Sequence, residues 1–216
     1  MQEKFKKSLP SFVALFKVLR PFITVAFFVF ICCVIVLLVF NWGFTTAQIS
    51  YFFHKPTLLT SQEYVQQNIG STVPAKNTLT VPSLGIIVPV VYVGAATEEV
   101  FQPALEHGVV HFPHSALAGQ VGNVYIFGHS SDYVWSKGKY KNIFALLPKT
   151  EIGAEILLTD EKGNLFTYLV TKKFVVAAND VSVLSQATGG KRILTLQTSY
   201  PIGTALKRYI VQAELK

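Results

Sequence analysis

The chain has 216 residues, half of them hydrophobic, a formal net charge of +7 and two cysteines. That length holds one medium domain plus an appendage. The positive charge is not accompanied by a basic stripe interleaved with aromatics, which argues against nucleic acid as a partner. The two cysteines, Cys32 and Cys33, are adjacent, so the rest of the chain has no disulfide and no thiolate metal site.

Lys4, Lys6, Lys7, Lys17 and Arg20 crowd the N-terminal segment against Glu3 alone. From Pro21 to Phe53 there is no Asp, Glu, Lys or Arg. Within that stretch Phe22 to Phe40 is apolar except for Thr24. About 19 such residues suffice to cross a bilayer as a helix. A soluble core helix of that length would keep a polar face, and this one has none. The positive-inside rule then predicts residues 1–20 as a cytoplasmic basic tail and 21–42 as a transmembrane helix, with Trp42 at the outer interface. Residues 43–77 follow as an extracytoplasmic stalk and 78–216 as an exterior domain. A cleaved signal peptide is the competing reading, with Thr45-Thr46-Ala47 as its site, but its apolar region would be only about 7–15 residues. Ser8 to Arg20 reads equally as an amphipathic helix on the inner surface or as an unstructured tail. Cys32 and Cys33 read as small apolar fillers, since burial in lipid disfavours the thiolate.

In the stalk, Ser61 is placed to cap a turn of helix. From Thr78 onward, short β-branched runs alternate with Gly, Pro or Asn. The predicted strands are Thr78–Val81, Ile86–Val93, Val109–Phe112, Asn123–Phe127, Glu155–Thr159, Phe166–Val176, Ile193–Thr198 and Lys207–Ala213. Asp160 to Asn164 makes a hairpin turn between two of them. Glu98–Leu105 and Tyr140–Leu147 are the two candidates for short helical turns. The expected class is mainly β, a barrel or sandwich.

Two segments carry candidate chemistry. Asn123-Val124-Tyr125-Ile126-Phe127 ends on Gly128-His129, and Thr195-Leu196-Gln197-Thr198-Ser199 is followed by Arg208. The second segment resembles the TLxTC word of sortases, the cell-surface transpeptidases, with TLQTS in its place. Gly108 to Pro113, Gly119 and Gly122 to His129 are similar to that family's glycine-spaced approach to its catalytic His, and Lys141 to Leu146 to the stretch after it. The likeness runs in order from about Thr78 to Lys216, behind the predicted membrane anchor. It implies a sortase-like closed β-barrel of about eight strands with short helices.

The resemblance implies acyl transfer through a covalent intermediate. It places Ser199 at the nucleophile position, His129 as general acid or base, and Arg208 as donor to the substrate carbonyl or oxyanion. Lys207 competes with Arg208, but alternation sets the two on opposite faces, and Arg208 shares the face of Ile210. His111 and Thr198 are the expected substrate-binding residues, with His114 a weaker choice. The substrate would be a secreted protein bearing an extended sorting peptide, and the acceptor a cell-wall or pilin-like amine. No cofactor is expected. His107, His111 and His114 suggest a metal by spacing, but Pro113 breaks helical geometry, so no metal is expected either.

The word departs from the family at one atom. A serine hydroxyl is scarcely ionised near neutral pH and needs an aligned base. Asp132, three residues after His129, would either orient that imidazole or cap a turn with Ser130 and Ser131, and the turn is the favoured reading. Ser199 stands as an engineered replacement, as a natural divergence to a slow serine enzyme or an inactive binder, or as a sign that the fold likeness does not extend to activity. Natural divergence is the reading taken. The expected function is therefore a sortase-type transpeptidase or hydrolase diverged at its nucleophile. The alternative is an inactive membrane-anchored binding module on the same fold.

Overall fold

The structure is a computed structural model that describes residues 12–40, 42–53, 75–131 and 138–216. Asp132 and most of the expected stalk, including Ser61, lie outside the described residues. The chain divides into two compact units at Phe40.

The first unit is helix α1, Phe12–Phe40. Its segment Leu19–Val39 is long and apolar enough to cross a bilayer. The helix runs through Pro21 without ending. There the Thr24 hydroxyl donates to the Arg20 carbonyl at 2.9 Å. Phe12 to Arg20 is thus one helix with the apolar stretch and not a separate segment.

In the second unit, helix α2 covers Trp42–Phe53. The strands are β1 Thr78–Val81, β2 Ile86–Tyr92, β3 Val109–His111, β4 Gly122–Phe127, β5 Glu155–Thr159, β6 Leu165–Ala177, β7 Arg192–Tyr200 and β8 Lys207–Leu215. Helix α3, Glu98–Leu105, lies between β2 and β3. The strands close into a barrel in the order β1-β2-β3-β4-β7-β8-β6-β5. The β2–β3 and β4–β7 pairs are parallel and the others antiparallel.

Alternation along the strands builds the core. Leu79 and Val81, Val88 and Val90, Val124 and Ile126, Ile156 and Leu158, Leu194 and Leu196, and Val211 and Ala213 all join one buried cluster. Each buried Val, Leu or Ile contributes about 1.5–3 kcal/mol relative to exposure. The opposite face of the β3, β4, β7 and β8 strands is also covered. Ala104 and Leu105 of α3 pack with Val110, Phe101 and Phe127 on one side. Val183 and Leu184 of the β6–β7 connection pack with Tyr125 and Ile210 on the other.

Gly108 brings β3 against β2. A Cβ there would lie 2.2 Å from the Pro89 carbonyl oxygen, so no larger residue fits without moving backbone. The expected short helical turns at Tyr140–Leu147 are a run of turns over residues 141–146 followed by a 3-10 turn at Leu147–Lys149. Its bonds are of the shorter three-residue kind, such as the Ala145 amide to the Asn142 carbonyl at 3.0 Å. The Phe144 amide is diverted to the His129 carbonyl at 2.9 Å, and Pro148 closes the segment.

Candidate active site

β7 extends through Tyr200, so Ser199 sits within the strand and not after it. Tyr200 stays in the strand because it pairs with Lys207 at the start of β8. One position back, Ser199 lies directly across from Arg208. Strand alternation puts Gln197 and Ser199 on one face of β7, and Arg208 and Ile210 on the same face of β8. This is the face covered by the two outer clusters, away from the barrel core.

β4 runs parallel to β7, with Phe127 opposite Gln197, so the chain leaving β4 carries His129 to the end of β7 that holds Ser199. Three contacts fix that exit. The Gly128 amide donates to the Gln197 carbonyl at 3.1 Å. Thr198, on the core side of β7, is 1% exposed, and its hydroxyl donates to the Gly128 carbonyl at 2.9 Å. Gly128 itself is squeezed, since a Cβ there would meet Val109 Cγ1 at 2.9 Å and Phe144 Cδ2 at 3.0 Å. On the far side, the Gly203 amide of the β7–β8 connection donates to the Ser131 hydroxyl oxygen at 2.9 Å. His129 is thus carried by a loop tied to the β7–β8 connection, while Ser199 and Arg208 stand on the paired strands β7 and β8.

His129, Ser199 and Arg208 line one groove of about 390 Å³. One wall is α3, through Glu98, Phe101 and Leu105, and the other is the β6–β7 connection, through Asp180, Val181 and Leu184. Tyr125 and Gln197 lie on its floor, where the Tyr125 hydroxyl donates to Gln197 Oε1. Burial pushes the Tyr125 phenol far up, against a smaller opposing pull from Arg208. Arg208 Nη1 donates to the carbonyls of Ala205 at 2.9 Å and Lys207 at 3.0 Å, which fixes the guanidinium at the strand entrance. The Ser182 hydroxyl and amide hold the Asp180 carboxyl below its usual range, so this wall carboxylate is already engaged.

The two expected substrate-binding residues stand differently. Thr198 belongs to the groove, but its side chain clamps Gly128. His111 does not line the groove. It is 4% exposed and shares the Val109 face of β3, while Val110 between them packs with Phe127 toward the groove side. His111 stacks on Tyr92, with ring centroids 4.8 Å apart. Its Nε2 lies 2.9 Å from the Ala116 carbonyl and 3.0 Å from the Ser115 hydroxyl. A carbonyl only accepts, so Nε2 carries the proton and cannot serve as base for Ser115. Burial holds the His111 imidazole below its ordinary pKa. His114 and His107 are exposed. Among the described residues, no three His, Cys, Asp or Glu side chains come together as a metal site.

Sequence reasoning missed the groove walls and the Tyr125–Gln197 pair. Tyr125 and Phe127 alternate with core residues of β4, which was the available signal for a second covered face.

An eight-stranded closed barrel in this strand order is a sortase-type fold, and His129, Ser199 and Arg208 line one groove on its outer face. The sortase domain model matches residues 79–216, and the chain belongs to the sortase family. The structure of sortase E from Streptomyces avermitilis is 32% identical with a TM-score of 0.50, and the match covers 64% of this chain and 86% of that one. A Clostridium perfringens sortase D5 transpeptidase is 24% identical with a TM-score of 0.52, over 74% of this chain and 91% of that one. A lid mutant of sortase A from Corynebacterium diphtheriae is 20% identical with a TM-score of 0.54, over 82% and 95%. The last two likenesses bear on the fold alone. Comparison with curated protein sequences gives no match.

Proposed function

We propose that the groove binds an extended sorting peptide of a secreted protein and performs sortase-type acyl transfer with Ser199 as a slow nucleophile. What supports this reading above all is the cross-strand pair Ser199–Arg208, lining one groove with His129.

In the proposed reaction Ser199 Oγ adds to the scissile carbonyl carbon and its proton passes to His129. The guanidinium of Arg208 donates to the oxygen that becomes negative. The C–N bond breaks as His129 returns the proton to the leaving amine, and an ester on Ser199 remains. A cell-wall or pilin-like amine then adds to that ester and gives a proton to His129. His129 passes it to Ser199 Oγ as the C–O bond breaks. Two easier steps replace one difficult amide exchange.

The protein is proposed to be single-pass with its N-terminus inside and the barrel outside, from the uncharged stretch and the basic residues before it. Protease added to intact cells should remove the barrel and spare the N-terminus. A protected barrel would overturn this topology.

A second reading, an inactive binding module, is favoured by one observation. A serine nucleophile needs a base that is itself oriented, and the Asp180 carboxylate at this groove is committed to Ser182. A panel of fluorogenic LPxTG-like peptides separates the readings. Turnover abolished by His129→Ala supports the enzyme, whereas binding without His129-dependent turnover supports the module.

A further inference from the structure

The barrel is closed, and β7 is paired on both sides, with β4 and β8. A peptide in the groove therefore has no strand edge to join, so main-chain pairing of the β-addition kind is closed to it. It lies on the face of the sheet, between apolar walls that include Phe101 and Val183. Its backbone carbonyls leave water there and need donors. Side chains on the groove floor can supply such donors.

Two floor side chains fit. Arg208 faces Ser199 across the β7–β8 pair. Gln197 sits on the same face of β7, two residues from Ser199, and its neighbours in register are Ile210 and Phe127. A buried Tyr hydroxyl usually finds a hydrogen-bond partner, and the Tyr125 hydroxyl donates to Gln197 Oε1. That bond takes the amide oxygen and fixes which way the amide points. What Gln197 has left is its NH₂, and among the described residues no protein acceptor takes it. Two strand residues span about 6.6–6.8 Å, and an extended peptide repeats its same-side carbonyls at the same interval.

We propose that Gln197 sets the register of the bound peptide by donating from Nε2 to the backbone carbonyl two residues from the scissile one, on the acyl side. The acyl side is the half that must stay in place through both half-reactions. This rests on the acyl-transfer reading of the groove. The side chain of the peptide residue concerned is not read by Gln197, so the contact selects an extended backbone over a turned one. Gln197 is thus a positioning residue, and Tyr125 acts through it.

The test is a binding cycle on the full chain in lipid nanodiscs. The probes are fluorescent pentapeptides of the LPxTG type, with each position varied, and partner peptides in which one amide at a time is an E-alkene. Removing the specified carbonyl should weaken binding to the parent protein about fivefold to tenfold, the scale of one hydrogen bond. Gln197→Leu should weaken the unmodified peptide by a similar factor and be insensitive to the alkene at that bond alone. Gln197→Glu keeps the bond from Tyr125 and replaces the donor with an acceptor, so it should lose at least as much while keeping the parent thermal midpoint. Parent-like binding by Gln197→Glu, or losses that multiply when variant and alkene are combined, would overturn the proposal. If no peptide binds the parent protein, the acyl-transfer reading falls and takes this inference with it. If peptides bind and only Gln197 is silent, the function stands and the inference alone fails.

Discussion

Thr198 offers the sharpest test of how the fold aims the site. Thr198 is 1% exposed, and its hydroxyl donates at 2.9 Å to the Gly128 carbonyl, next to His129. Thr198→Val keeps the shape and removes the donor. The cost combines a lost hydrogen bond with a buried carbonyl deprived of this partner, about 1–3 kcal/mol. For a domain of this size, about 3 °C per kcal/mol puts the fall in thermal midpoint at about 3–9 °C. Catalysis should suffer separately, because a group displaced by 1 Å costs up to about a hundredfold. In a Ser199→Cys background, turnover of a fluorogenic peptide should fall at least about tenfold at nearly unchanged KM. Thr198→Ser, which keeps the hydroxyl, should restore most of both. If Thr198→Val melts with the parent and turns over equally fast, the clamp does not position His129 and the reasoning is wrong.

Ser199→Cys should gain acyl transfer that thiol reagents block, seen as an acyl adduct by intact mass, because a thiol ionises near pH 8.5 and needs less help from a base. Adding Arg208→Ala should remove most of that gain; a parent protein already fast and impaired by Ser199→Cys would mean a remodelled serine site. Gly128→Ala should cost about 1–3 kcal/mol by overpacking, since its methyl would meet Val109 and Phe144 at 2.9 and 3.0 Å; chemical denaturation checks it. Burial lowers the His111 pKa from its ordinary value of 6.5, so the unfolded chain takes up a proton at this site more readily than the folded one. Its contribution is therefore intact above pH 6.5 and lost as pH falls through the folded value, and a pH series of thermal midpoints should flatten in His111→Gln.

Much of the barrel could be read from alternation, because period-two patterns report a core face directly. The eight expected strands match the eight found, with shifts of one or two residues at some ends. The choice of Arg208 over Lys207 rested on the same parity. His111 lies outside the groove, and its face could not be read from β3, which has only three residues, too few to fix a phase, all of them buried. The turns at Tyr140–Leu147 do not lengthen into a helix, because the Phe144 amide bonds to His129 and not along its own segment. The Tyr125–Gln197 pair was out of reach for a related reason. Its members lie 72 positions apart and meet only through the parallel β4–β7 pairing. Local pattern reports which face a residue takes, whereas long-range pairing decides what shares that face.

The position of β8 has a consequence for how the molecule is made. It is the last strand in sequence, yet it lies between β6 and β7 and supplies Arg208. Until it arrives, two long strands stand with unpaired backbone, an open template for association with other chains. Such non-local closure is slow, on the millisecond-to-second scale of β-barrels. The nucleophile strand gains its guanidinium in the same event that closes the sheet, so a half-built barrel is exposed to aggregation but has no assembled site.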